Sequence, residues 1–205
     1  VSGSYRVTYR ATDASGNAAE AVRAVEVRDT QAPVLTLLGA AEVTVECNTA
    51  YADAGATALD GCEGTIPVNA VVSPLSPGTT AKTAIDTSTP GSFLITYTAE
   101  DSLGNAAEPI TRTVHVVDST PPLISLNGLA EVTAECTYTD EGATAEDACG
   151  GAVPVSAAIV RLPDAGEPVP VTAMTATGAY RITYSAADNA GNSAQLTREV
   201  SVVDT

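Results

Sequence analysis

The chain has 205 residues, with 25 acidic against nine basic side chains, a formal net charge of −16, no Trp, one Phe and one His. That balance argues against nucleic acid as a partner, because phosphate binding needs clustered Lys and Arg. No stretch approaches the roughly 20 apolar residues of a bilayer-spanning helix, so no membrane insertion of this segment is expected.

The first element reads SGSYRVTYRATDASGNAAEAVRAVEVRDT from Ser2 to Thr30. Tyr5, Val7 and Tyr9 alternate, as do Val25 and Val27, and period two marks a strand with one buried face. Between them lies D-x-x-G-N, in which Gly and Asn tolerate positive φ and the Asp carboxylate accepts from the turn's backbone N–H groups. The same pattern returns at Pro90 to Ser119 and at Ala176 to Thr205. Asp13 to Asp101 is 88 residues, Asp101 to Asp188 is 87, and Cys47 to Cys136 is 89. A period of that length is a small domain rather than a solenoid turn.

Each hairpin therefore closes a repeat. The divisions expected are a partial domain at 1–29, contributing only its last hairpin, and full domains at 30–118 and 119–205. A lone hairpin is marginal in water, so the strands that complete the first domain are expected from the same, longer polypeptide, or else from a neighbouring chain. In the middle repeat the strands expected are Val34 to Leu38, Val43 to Cys47, Ala56 to Leu59, Ile66 to Val72 and a weaker one near Ala81 to Ile85. Their counterparts are Leu123 to Leu126, Val132 to Cys136, Ala143 to Ala145, Val153 to Val160 and Val169 to Ala173. With the hairpin, about seven short strands per repeat fit a Greek-key β-sandwich. Pro109 marks a bulge or an edge in the middle hairpin. The Pro-stiffened linkers Asp29 to Pro33 and Asp118 to Pro122 should hold successive domains end to end as an extended rod.

Units with a Pro-containing linker, a Y-x-D-x-G-A-T-A-x-D segment (Tyr51 to Asp60, Tyr138 to Asp147) and a terminal D-x-x-G-N hairpin resemble bacterial immunoglobulin-like repeats of surface proteins. They are similar to the HYR-type and Cry22-type Ig-like domains. The resemblance covers the whole chain. It implies an all-β fold of tandem Ig-like sandwiches in a secreted, extracellular or cell-surface array, used for reach, adhesion or assembly, with no catalytic residues. The chain lacks the Trp of antibody-type domains and places its cysteines differently.

Cys47, Cys62, Cys136 and Cys149 fall two to each full repeat. Because the pair recurs with the repeat, same-repeat disulfides, Cys47 with Cys62 and Cys136 with Cys149, are favoured over other pairings, and imply an oxidising compartment. Zinc is the rival reading, disfavoured by the absence of His ligands. The acidic residues also have two readings. Asp29, Asp60, Glu63, Asp101 and Asn105 should gather at one end of the middle repeat, and Asp118, Asp147, Asp188 and Asn192 at the equivalent end of the last. They either organise their own turns and stay solvated, or hold calcium, which prefers carboxylate oxygens. No cofactor is otherwise indicated, and Gly150 replaces Glu63 in the last repeat.

His115 alternates with Val114 and Val116 and should face outward. Arg23, Arg112 and Arg198 recur in R-x-V-x-V-x-D and should contact acids across the strands. Tyr9, Tyr97 and Tyr184 read as core or corner tyrosines. No Ser/His/Asp set, nucleophile elbow or metalloprotease motif is present, so an enzyme is not expected. The leading functional expectation is a spacer or stalk segment of a larger bacterial extracellular protein, partnered by neighbouring Ig-like domains of its own polypeptide. Self-association into fibres, an adhesin or carbohydrate-binding module with a cell-surface ligand, and a filament subunit completed by strands of a neighbouring chain are the alternatives.

Overall fold

The computed structural model describes residues 2–75, 84–163 and 166–205. They form strands and turns, with no helix among the described residues. The chain divides into two compact units: Val1–Thr44 with Tyr51–Ile85 and Gly91–His115, and Val45–Ala50 with Asp86–Pro90 and Val116–Thr205.

The first unit begins with the hairpin β1 (Gly3–Thr12) and β2 (Ala18–Val27), antiparallel from Gly3 opposite Val27 to Thr12 opposite Ala18. Asp13 Oδ1 accepts from the N–H groups of Ser15 (2.9 Å) and Asn17 (2.8 Å), and Gly16 takes a φ of 87°. The D-x-x-G-N turn therefore works as its residue types dictate. Strands β3 (Val34–Leu37), β5 (Ala56–Asp60) and β6 (Gly64–Ile66) then make one sheet. β4 (Glu42–Glu46), β7 (Asn69–Pro74), β8 (Gly91–Thr98) and β9 (Ile110–Val117) make another, in the order β4-β9-β8-β7, with the far ends of β4 and β9 counted in the second unit.

The second unit repeats the plan. One sheet holds β10 (Leu123–Leu126), β12 (Ala143–Asp147) and β13 (Gly151–Val153). The other runs β11 (Glu131–Glu135), β17 (Ser193–Val203), β16 (Gly178–Ala187), β14 (Val155–Leu162) and β15 (Val169–Val171), with β11 parallel to β17 and the rest antiparallel.

Two expected strands prove to be pairs. The run from Ile66 to Val72 divides into β6 and β7, and the run from Val153 to Val160 into β13 and β14, which lie in different sheets. Pro67 and Pro154 sit at the two breaks; lacking an N–H, proline cannot extend a ladder, and here it marks the corner where the chain changes sheet. The weak strand near Ala81 to Ile85 falls mostly outside the described residues. Around Pro109 the hairpin ladder is interrupted: Glu100 bridges Ala106, and β9 starts only at Ile110.

The alternating residues fill the interior. Phe93, Ile95, Tyr97, Val114 and Val116 are buried, as are Tyr180, Ile182, Tyr184, Val200 and Val202. In the last repeat they pack with Ile124 and Met174. Each such side chain contributes roughly 1.5–3 kcal/mol on burial. In the hairpin β1–β2 every residue is exposed on both faces, so Tyr9 is 51% accessible where its counterpart Tyr97 is 1%.

At the centre of each full repeat lies a buried arginine. Arg198 is 0% accessible. Its Nε donates to Leu129 O at 2.9 Å, Nη2 to the carbonyls of Asn127 and Gly142, and Nη1 to Asp140 Oδ1 and Tyr138 Oη. Its guanidinium lies 5.7 Å from the ring centroid of Tyr184, whose hydroxyl donates to Asp140 at 2.7 Å. Arg112 repeats the arrangement: Nε to Ala40 O at 2.8 Å, Nη2 to Leu38 O, Nη1 to Asp53, with Tyr97 Oη donating to Asp53 at 2.7 Å. The carbonyls belong to segments joining one sheet to the other, and guanidinium's five donors serve them together. Arg112 and Arg198 thus point into the sandwich and bind turn carbonyls as well as a carboxylate. The expected contact with an acid is present, but the acid lies in a loop rather than across the strands. Arg23 keeps only part of the set, lying 5.9 Å from the Tyr9 ring. His115 lies partly covered between Ser92 Oγ (2.9 Å) and Glu42 Oε1 (3.0 Å).

Truncating Asp140 with Asp140→Ala leaves Arg198 buried without its counter-charge and should cost about 3 kcal/mol, read as a lowered denaturant midpoint for the last repeat. A change under ~0.5 kcal/mol would show the pair to be dispensable. Acid should act on the equivalent aspartate of the middle repeat and on two turn aspartates. Burial raises the pKa of Asp53, but hydrogen bonds from Tyr97, Tyr51 and Arg112 prevail and hold it below the usual value. The Asn105 amide does the same for Asp101, and the Asn192 amide for Asp188 against the opposing effect of burial. Groups depressed in the folded state add stability above their unfolded pKa, about 3.9, and lose it as pH falls through the folded value. The denaturant midpoint should therefore drop steeply below about pH 4; a midpoint unchanged down to pH 2 would contradict this assignment.

Candidate functional site

Two ends of each repeat carry the chemically distinctive residues. The leading end is built by the linker that precedes the first strand, the turn between the second and third strands of the smaller sheet, and the D-x-x-G-N turn. In the second unit these supply Asp118, Asp147 and Asp188, whose carboxylate oxygens lie within 4.8 Å of one another. Asn192 Nδ2 ties two of them together, donating to Asp188 Oδ2 at 2.9 Å and to the main-chain oxygen of Asp118 at 3.2 Å. Asp147 Oδ1 accepts from the N–H groups of Cys149 (2.7 Å) and Gly150 (2.8 Å). Its other oxygen, Oδ2, is buried and has no hydrogen-bond partner, a condition that costs stability unless something positive supplies one. Burial, followed by repulsion from Asp147, Asp188 and Glu46, raises the pKa of Asp118. Three converging carboxylates with one buried, unpartnered oxygen suit a hard divalent cation that takes oxygen ligands.

The first unit repeats part of this. Asp60 Oδ1 accepts from Cys62 N (2.7 Å) and Glu63 N (2.9 Å), and its Oδ2 is likewise buried without a partner. Asp29, Asp60 and Cys62 converge. Asn105 reaches Asp29 O at 3.5 Å, and Glu63 accepts from Ser102 N at 3.2 Å. Asp101 is occupied by its own turn, accepting from Leu103 N, Asn105 N and Asn105 Nδ2.

At the trailing end a Glu-Cys pair leaves the strand that lies parallel to the last one. Within the second unit, Cys47 N donates to Val117 O at 2.8 Å, and Glu46 accepts from Ser119 N (2.9 Å), Ser119 Oγ (2.6 Å) and Thr120 Oγ1 (3.0 Å). The last repeat matches it: Cys136 N donates to Val203 O at 2.8 Å, and Glu135 Oε1 accepts from Thr205 N (3.1 Å) and Oγ1 (2.5 Å). These hydrogen bonds hold the pKa values of Glu46 and Glu135 below the usual range. The sequence reading missed both glutamates. The only signal was the recurrence of E-C at 46–47 and 135–136 beside D-S and D-T at 118–119 and 204–205.

The cysteines depart from expectation. Cys47 is bonded to Cys149, with Cα atoms 5.8 Å apart and a sequence separation of 102, while Cys62 and Cys136 are exposed free thiols. The same-repeat pairings are therefore not those of the structure, and the last repeat shows why. Cys136 sits beside Val203, the final residue of β17, whereas Cys149 lies in the turn with Asp147, beside Asp188 and the start of β17. Eleven residues of strand separate the two ends, or roughly 33 Å at 3.3 Å per residue. A disulfide needs Cα atoms within about 7 Å. The main chain of Asn48 has a φ of 55°, and its side-chain amide donates to Ala148 O beside the bridge. In the chain-entropy account, closing a loop of about 100 residues restricts the unfolded chain by roughly 4.7 kcal/mol.

Solved structures similar to this chain include cadherin fragments and a bacterial lipoprotein. Protocadherin Gamma B2 domains 3–6 share 18% identity over 98% of this chain and 60% of theirs, with a TM-score of 0.36. Mouse Cadherin-23 EC22–24 shares 15% over 85% and 67%, with 0.33, and a lipoprotein from Bacteroides thetaiotaomicron 14% over 80% and 97%, with 0.31. The chain spans 58% of the length of a Protocadherin Gamma B7 fragment of four domains. No curated protein matches. Among the described residues no helix is long and apolar enough to cross a membrane. The profile of the bacterial surface protein Ig-like domain matches residues 35–116 and again 124–202, and the chain belongs to that family.

Proposed function

We propose that this chain is a spacer segment of a larger bacterial extracellular or cell-surface protein, holding another module away from its point of attachment. The observation that carries the reading is the connection between successive repeats inside the second unit. Residues 45–50, from the middle repeat, belong to the same compact unit as the last repeat. They are tied to it by the Cys47–Cys149 disulfide, by Glu46 on Ser119 and Thr120, and by Asn48 on Ala148. A spacer transmits load and position, and a connection that is covalent as well as hydrogen-bonded is suited to both. Replacing Cys47 with Ser should widen the distribution of distances between spin labels placed on the two repeats. An unchanged distribution would remove the support for a spacer held at this joint.

A divalent cation, calcium by the oxygen-rich chemistry of the site, belongs to the same proposal. Asp118, Asp147 and Asp188 would hold it, and its charge would relieve their repulsion and supply Asp147 Oδ2 with a partner. Calcium at a hundredfold excess over its Kd should raise the unfolding free energy by about 2.7 kcal/mol. A chelator should reverse the gain, and Asp147→Asn should abolish it. Identical melting of the parent chain in calcium and in chelator would sink the cation site and leave the spacer reading standing.

A further inference from the structure

The free thiols Cys62 and Cys136 are each the counterpart of one half of a bridge that is already formed. Cys136 stands at the end of its strand where Cys47 does, although its main chain turns left-handed (φ 63°) at the cysteine itself rather than at the next residue. Its N–H is on the carbonyl of the last strand's final residue (Val203 for Cys136, Val117 for Cys47, both 2.8 Å), and it is preceded by a glutamate that binds the residue after the next Asp. Cys62 sits in its turn as Cys149 does, with its N–H on the turn Asp at 2.7 Å in both. Each also has the linker Asp beside it, Asp29 for Cys62 and Asp118 for Cys149. The two types of half-site lie at opposite ends of a repeat, as the length of β17 requires, so neither thiol can be served from within its own repeat.

We infer that Cys62 and Cys136 are the open halves of the joint that Cys47 and Cys149 close, and that their partner is a further copy of this repeat. Cys136 pairs with the counterpart of Cys149 in a following copy, and Cys62 with the counterpart of Cys47 in a preceding one. Each bond forms as two thiols lose two protons and two electrons to a disulfide oxidant. With oxidised glutathione, one thiolate first displaces reduced glutathione to give a mixed disulfide, and the second thiolate then displaces the remaining glutathione. An array of such repeats becomes a chain stapled at every joint, with one bridge per joint and none inside a repeat.

The test lengthens the full chain by a second copy of residues 119–205 placed directly after Thr205. The product is refolded in a glutathione redox buffer, and its bridges are mapped by mass spectrometry of unreduced peptides. Two bridges are expected: Cys47–Cys149, and Cys136 with the added copy's counterpart of Cys149. Cys62 and the added copy's counterpart of Cys136 should remain open to alkylation. Cys136 bridged to Cys149, Cys47 bridged to Cys62, or Cys136 left free beside an added copy that has folded would each overturn the inference. The unextended chain supplies a second measurement. It should present two alkylatable thiols, Cys62 and Cys136, and Cys149→Ala should add Cys47 as a third. Should that variant instead bridge Cys47 to Cys62, the half-sites are not at opposite ends and the inference fails. Linkage of Cys136 to Cys62 between unextended molecules would uphold the joint and place the partner copy in another chain. Linkage seen only in the lengthened chain would uphold it and place the partner in the same polypeptide.

Discussion

Each full repeat depends on one charge held in its interior. Arg112 and Arg198 come from the last strand, yet their donors satisfy carbonyls in segments near the start of the repeat and an aspartate in the loop that follows. An uncompensated guanidinium there would be intolerable. The arrangement works because every donor has an acceptor and a tyrosine ring covers one face. It also explains why a repeat with no Trp and few aromatic residues adopts one arrangement. Apolar burial alone would let two small sheets slide on each other, whereas a fork of fixed geometry bonded to three separate segments allows a single placement.

The second organising feature is polarity. Acids and a turn cysteine stand at the leading end of a repeat, and a Glu-Cys pair at the trailing end. The two sets are complementary, as the bridge and the Glu46 hydrogen bonds demonstrate in the second unit. Charge repulsion among Asp118, Asp147 and Asp188 is therefore a cost confined to the leading end of the repeat, where a cation or a turn amide such as that of Asn192 can offset it.

Much of this was legible in the sequence. Alternation placed Phe93, Ile95 and Tyr97 inside correctly, because period two is a local property. The D-x-x-G-N turns were equally plain, since one carboxylate and two permissive residues specify them. Three features were hidden. Pro67 and Pro154 were not read as sheet-changing corners, because an apolar run looks the same whether it stays in one sheet or passes to the next. Arg198 was expected to meet an acid across the strands, whereas its acid lies in a loop and its burial is decided by carbonyls at sequence separations of 56, 69 and 71 residues. The cysteine pairing was misread because proximity in sequence says nothing about which end of a sandwich a residue occupies.

The parallel pairing of β11 with β17 sets an order of events. β11 stands near the beginning of its repeat and its partner is the last strand, so their contact closes a long loop and is intrinsically slow. The same holds for Arg198, which reaches back to Asn127 and Leu129 only after the final hairpin exists. As the polypeptide grows from its N-terminus, a repeat has no means of closing its sandwich until its last residues have emerged. The strands that precede the hairpin must wait for it, and the hairpin itself, built from near neighbours, can form as soon as it emerges. Maturation of such a protein therefore proceeds in whole-repeat steps, each completed by its final strand, and a truncation that removes only that strand forfeits the entire repeat rather than its edge.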